Sequence, residues 1–123
     1  DSFASAANYL KRIGWKKNQP CFYKIDLENN IPKKYLNSSA RNIKNKKRSI
    51  FFSKYIKNFE NLNINKNINA AIIIPDKDII PGSENFSPAY IIFDNYEKIL
   101  NWNRSLRFAL AVCTLKESFR NEI

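Results

Sequence analysis

The sequence predicts an α+β domain in which helices flank a small antiparallel sheet of about three strands. Three observations point there. Residues 21–27 alternate apolar and polar, residues 70–74 form an apolar run closed by Pro75, and an apolar run returns at 89–93. Helical spacing marks both ends of the chain. At 123 residues the chain reads as one domain spanning 1–123. A hydrophobic share of 44%, with 14% aromatic, supplies a modest core and excludes a disordered chain.

The elements follow in order. Phe3, Ala6, Ala7, Leu10 and Ile13 recur at helical spacing, Asp1 or Ser2 can cap the start and Gly14 ends the helix. Tyr9 lies off that stripe, on the face shared by Ser5 and Arg12, either at the surface or facing a groove. Residues 21–27 form a half-buried strand, 29–32 a turn and 33–37 a short helical turn. Residues 38–48 are polar and basic, hence loop. Ser49 then caps a helix whose Phe51, Phe52, Tyr55, Ile56 and Phe59 share one face, and 61–69 read as loop. The strands 70–74 and 89–93 flank a loop broken by prolines and Gly82. Asp94 opens the next helix as a capping box with Glu97, and that helix stops near Trp102-Asn103. Ser105 restarts a largely buried helix with Phe108, Val112, Leu115 and Phe119 as one stripe, and Leu106, Leu110 and Cys113 beside it.

Lysine and arginine number 21 against 11 acidic residues, a formal net charge of +10. The excess reads either as attraction to a polyanion, such as nucleic acid, anionic lipid or an anionic wall polymer, or as compositional drift in a chain rich in Lys, Asn and Ile. Lys33-Lys34 and Lys44-Asn45-Lys46-Lys47-Arg48 are the local clusters. The absence of histidine excludes Ser-His-Asp, Cys-His and His-ligated zinc chemistry within the chain. Cys21 and Cys113 fit no metal spacing; Cys113 reads as a small core residue, and its pairing with Cys21 stays open, available only in an oxidising compartment. No metal or cofactor is expected, with Gly14 and Gly82 the only glycines and no phosphate loop. No apolar run reaches the length of about 18–20 residues that a membrane helix needs. The carboxylates are scattered and none stands in an apolar pocket suited to general-acid work, so no catalytic residue is assigned.

What remains is the polar elbow Trp102-Asn103-Arg104-Ser105 between the last two helices. Aromatic rings stack on the apolar face of a pyranose, and amides bond its N-acetyl and hydroxyl groups. The plainer alternative is that Trp102 and Phe108 are core and that Asn103 ends a helix.

Four segments resemble lytic murein transglycosylases of the type related to membrane-bound lytic murein transglycosylase B. The opening Asp1-Ser2-Phe3-Ala4-Ser5-Ala6-Ala7-Asn8-Tyr9-Leu10-Lys11-Arg12-Ile13-Gly14-Trp15 is similar to that family's D-A-x-x-S-x-A-N-Y-L-K-x-x-G-W. Phe93-Asp94-Asn95-Tyr96-Glu97-Lys98-Ile99-Leu100-Asn101-Trp102-Asn103-Arg104-Ser105 is similar to x-x-N-F-x-x-I-x-x-[YW]-N-x-S, and Phe108-Ala109-Leu110-Ala111-Val112 to Y-A-[ML]-A-V. Between them, Ala70-Ala71-Ile72-Ile73-Ile74-Pro75 and Gly82 occupy the places of an A-x-L-L-x-P strand and a later glycine.

The resemblance implies a lysozyme-like, mostly helical catalytic domain. Such a domain cleaves the MurNAc–GlcNAc β-1,4 bond of peptidoglycan without water and leaves a 1,6-anhydro end. One glutamate serves as acid and then base. In the family it lies upstream of the segment matched by Asp1, so this chain is expected to be the C-terminal portion of the domain, inactive alone and joined to an upstream half. The lack of any methionine and the start on Asp1 agree with that expectation. Carried over by motif, Tyr9 and Asn103 line the glycan groove, and Trp102 stands at a tyrosine or tryptophan position. Phe108 keeps a ring where tyrosine is usual but loses its hydroxyl. The resemblance further implies a periplasmic, monomeric protein, tied to the outer membrane through an absent N-terminal segment, with glycan strands rather than nucleic acid as partner. The alternatives from other classes are a basic binding module for nucleic acid or anionic wall polymers, and a degenerate structural domain.

Overall fold

The computed structural model describes residues 8, 12, 14–16, 19–75, 88–102 and 104–118. The expected loop across 76–87 and the end of the last stripe at Phe119 lie outside the described residues. Of the expected first helix, Asn8 and Arg12 are helical, and Gly14 adopts a turn with φ 88°, the left-handed geometry that glycine tolerates at a helix end.

The fold is α+β. Strand β1 (Phe22–Ile25) pairs antiparallel with β5 (Ala89–Ile92), and β5 pairs antiparallel with β4 (Asn69–Ile73). This is the expected three-stranded core. Two further strands of two residues each extend it. β2 (Leu36–Asn37) runs parallel to β4, with Leu36 opposite Ile72, and β3 (Lys47–Arg48) runs antiparallel to the start of β4, with Lys47 opposite Ala70. β3 falls where the sequence reads as loop, and β2 where it reads as the end of a helical turn. That turn is real but shorter, a 3-10 turn over Lys33–Tyr35.

Successive side chains of a strand point to opposite faces, so a strand apolar at every position must be covered on both sides. β4 and β5 are built that way. Ala70, Ile72 and Ile74, with Ala89, Ile91 and Phe93, face a core completed by Leu27, Tyr35, Phe52, Ile56 and Phe59. Ala71, Ile73 and Ile92 face the opposite way, toward helices α1 (Asp94–Trp102) and α2 (Leu106–Ser118). The sheet is therefore the middle of three layers.

The first outer layer departs from the expected α-helix. Residues Ser49–Tyr55 form a 3-10 helix with Arg48, not Ser49, in the cap position. Ser49 is buried, and its hydroxyl donates to the Asn65 carbonyl, while the Ile50 N–H donates to the Lys66 carbonyl. These ties to residues 65–66 fix the segment in the tighter turn, and Phe59 starts a separate 3-10 turn, Phe59–Leu62. Asn37 closes the layer from below. Its side-chain amide donates to the carbonyls of Ile72 (3.0 Å) and Lys44 (3.1 Å), and its oxygen accepts the Lys44 N–H (2.8 Å). The Ile74 N–H donates to the Asn37 carbonyl, which carries the pairing one residue past the end of β4.

In the other layer, Cys21 and Cys113 form a disulfide, with Cα atoms 6.1 Å apart, a normal span for such a bond. It ties the entrance of β1 to α2. The reading of Cys113 as a buried core residue also holds. Because the bridge closes a loop with a sequence separation of 92, its loss frees a large unfolded ensemble. The double variant Cys21→Ser/Cys113→Ser is expected to lose about 2–5 kcal/mol in urea unfolding, and reduction of the wild type should lower its midpoint to match.

Candidate functional site

The elbow at 103–105 is positioned by the two helices on either side of it. α1 buries Tyr96, Ile99 and Leu100 against Ala71, Ile73 and Ile92. α2 buries Leu106, Ala109 and Cys113. That stripe, spaced three and four apart, differs from the expected one: Phe108 and Val112 are half-buried and Leu115 is exposed. The small Ala109 and the disulfide-bonded Cys113 let α2 lie close to its neighbours, and this sets its rotation.

Two capping features were expected here and they fare differently. The Ser105 hydroxyl accepts the Phe108 N–H at 3.2 Å and the Ser105 carbonyl accepts the Ala109 N–H, so Ser105 does restart the helix. The capping box at Asp94 does not form. Asp94 lies inside α1 and its carboxylate accepts from the Lys16 ammonium at 2.9 Å, while Glu97 accepts from Lys46 at 3.1 Å. The Glu97 N–H donates to the Phe93 carbonyl instead.

Two residues outside the expected site set organise it. The fully buried Tyr96 hydroxyl donates to the Leu106 carbonyl at 2.8 Å, joining α1 to α2 across the elbow. Burial, and then the neighbouring Tyr90, push its pKa well above the ordinary tyrosine range. Asn95, also fully buried, accepts the Lys16 N–H at 2.8 Å and donates to the carbonyls of Lys16 (2.9 Å) and Gln19 (3.1 Å). It fastens the segment that follows Gly14 to the start of α1, with Trp15 half-buried in the same core. The one sequence signal that touched both was the match of Asn95-Tyr96 to the N-F of the x-x-N-F-x-x-I-x-x-[YW]-N-x-S motif.

Of the four expected glycan contacts, Phe108 is described, on the first turns of α2 and half-buried. Trp102 is the last residue of α1, with its side chain outside the description, and Tyr9 and Asn103 lie outside the described residues. Asn95 ties Lys16 and Gln19 to the start of the helix that ends at Trp102. Among the described residues, no three His, Cys, Asp or Glu side chains gather as a metal site, and no helix is long and apolar enough to cross a membrane.

A family profile, the transglycosylase SLT domain, matches residues 1–117. The chain belongs to that family. The crystal structure of SltB3 from Pseudomonas aeruginosa in complex with NAG-anhNAM-pentapeptide resembles this transglycosylase SLT domain with a TM-score of 0.69 at 24% identity, over 98% of this chain. SltB3 in complex with NAG-NAM-pentapeptide does so with a TM-score of 0.62 at 25% identity, again over 98%. The chain spans 30% of each SltB3 chain. No curated protein matches it.

The Tyr96 clasp gives a test of how the elbow is held. Tyr96→Phe leaves the buried Leu106 carbonyl without its donor, an expected loss of about 1–3 kcal/mol. Because burial raises the folded pKa, stability is fully present below the unfolded value of about 10 and falls as pH climbs past it. Urea midpoints measured from neutral to strongly alkaline pH should show a shallower alkaline decline in Tyr96→Phe than in the wild type.

Proposed function

We propose that this domain is part of a peptidoglycan lytic transglycosylase and forms one wall of its glycan groove. The reaction is non-hydrolytic cleavage of the MurNAc–GlcNAc β-1,4 bond, in which the sugar's own 6-hydroxyl displaces the leaving group and gives 1,6-anhydro-MurNAc. The observation that carries the reading is family membership across residues 1–117, joined to the anhydro sugar named in the ligand of SltB3. The four motif segments favour the membrane-bound lytic murein transglycosylase B type within the family.

In this reading Tyr9, Trp102, Asn103 and Phe108 contact the sugars, with Asn103 beside the catalytic glutamate. That glutamate comes from polypeptide upstream of these 123 residues, in keeping with the 30% share of SltB3 that the chain spans. The Phe108 ring offers an apolar face and no hydroxyl. Asn95 and Tyr96 act through the backbone, Asn95 on the approach to Tyr9 and Tyr96 on the elbow that carries Asn103. The protein works as a monomer in the periplasm, near the outer membrane. The Cys21–Cys113 disulfide supports an oxidising compartment of this kind.

The chain incubated with purified sacculi is expected to release no anhydro-muropeptides, and turnover by the chain alone would refute the upstream glutamate. Chitooligosaccharide or glycan-strand binding, followed by calorimetry, should weaken about 10-fold or more in Asn103→Ala, the cost of one lost polar contact to sugar. Equal binding by wild type and variant would remove Asn103 from the groove.

A further inference from the structure

The net charge of this protein is concentrated in one stretch of its sequence. Residues 29–59 contain nine lysines and arginines and no acidic residue, so this stretch supplies nine of the ten formal net charges. The other twelve basic and eleven acidic side chains nearly cancel. All nine cationic residues are exposed; the loop at 40–46 turns toward the helix side, where Ala40 and Ile43 pack and Lys46 reaches Glu97, while Tyr35 and the 3-10 helix of residues 49–55 lie on the face of the sheet away from α1 and α2.

The cations at the centre of that face are arranged over rings. Lys47 and Lys54 lie 5.5 and 4.8 Å from the centroid of Phe51, Lys54 also lies 5.2 Å from Tyr55, and Lys34 lies 5.2 Å from Tyr35. The rings of Tyr35, Phe51 and Tyr55 pack on one another, with centroids 5.3 to 6.5 Å apart, so the three ammoniums sit over one aromatic cluster. Among the described residues the ion pairs are Lys16–Asp94 and Lys46–Glu97, and Lys34, Lys47 and Lys54 take part in neither. Ile50, next to Phe51 in the same 3-10 helix, is 42% exposed.

We propose that this face docks on a membrane surface rich in anionic phospholipid. Rings already covered by ammonium groups are poor stacking platforms for bases or sugars, which argues against a nucleic acid or a glycan strand as occupant. An exposed isoleucine on the same 3-10 helix as two of the lysine-covered rings suits a lipid interface, where the apolar side chain enters the headgroup boundary and the ammoniums meet phosphates. A dissolved polyanion offers the lysines the same charge but gives Ile50 nothing to enter. The surface lies across the sheet from the elbow, so docking leaves the proposed groove free, and the inference stands or falls separately from the glycan reading.

The test is sedimentation of the 123-residue chain with vesicles of phosphatidylcholine alone, or of phosphatidylcholine with roughly one-third phosphatidylglycerol. Binding is expected to the anionic vesicles only and to weaken as salt rises from about 0.05 M to about 0.3 M. Each basic residue at an anionic surface contributes about fivefold, so Lys47→Gln/Lys54→Gln should weaken binding about 25-fold, with circular dichroism confirming the fold. Ile50→Ser, at an exposed position, should fold normally and weaken vesicle binding several-fold. No preference for the anionic vesicles would overturn the proposal. So would vesicle binding that is indifferent to both variants, or binding to double-stranded DNA as tight as to vesicles and unaffected by Ile50→Ser.

Discussion

Two-sided burial of β4 and β5 is the constraint from which the architecture follows. A strand reading Ala-Ala-Ile-Ile has no face it can leave in water, so the chain must supply a cover for each side. It does so with unlike materials. Short 3-10 turns and loops cover one side and two regular helices the other. A chain this short folds because the same two central strands serve both cores. Removing methylenes from Ile72 or Ile73, each fully buried, would damage one core and leave the other's contacts in place.

Buried carboxamides join the layers at their margins. Asn37 saturates its side chain against Ile72 and Lys44, and Asn95 does the same against Lys16 and Gln19. Each takes a stretch that has no strand or helix of its own and gives its backbone a partner that water can no longer provide. Tyr96 plays the same part between the two helices. Buried polar groups of this kind specify geometry more than they add stability, since each must first lose its own hydration.

The parts of the fold legible in the sequence were those whose signal is local. The runs 70–74 and 89–93 read as strands because their length and β-branched content allow little else, and Ser105 read as a helix start because its hydroxyl caps the next turn. The parts missed depend on distant partners. β2 and β3 exist because β4 offers an edge to them, and nothing within Leu36-Asn37 or Lys47-Arg48 announces that. The aromatic spacing at 51, 52, 55 and 56 fits an α-helix, but ties from residues 49 and 50 to residues 65 and 66 tighten it into 3-10 geometry. Asp94 and Glu97 look like a cap until Lys16 and Lys46 arrive from elsewhere in the chain. The candidate site was legible only as motifs. Periodicity left Tyr9 with two readings, and the residues that fasten Lys16 and join the last two helices, Asn95 and Tyr96, looked like ordinary members of a helix.

The bond between Cys21 and Cys113 encloses both short strands, the 3-10 turns, all of β4 and β5, and α1 within one covalent ring. A protease cutting the exposed backbone around residues 41–46 therefore releases nothing. The nicked molecule keeps its mass and both halves of its hydrophobic interior, and separates into fragments only after a reductant opens the ring. That topology makes a single scission survivable.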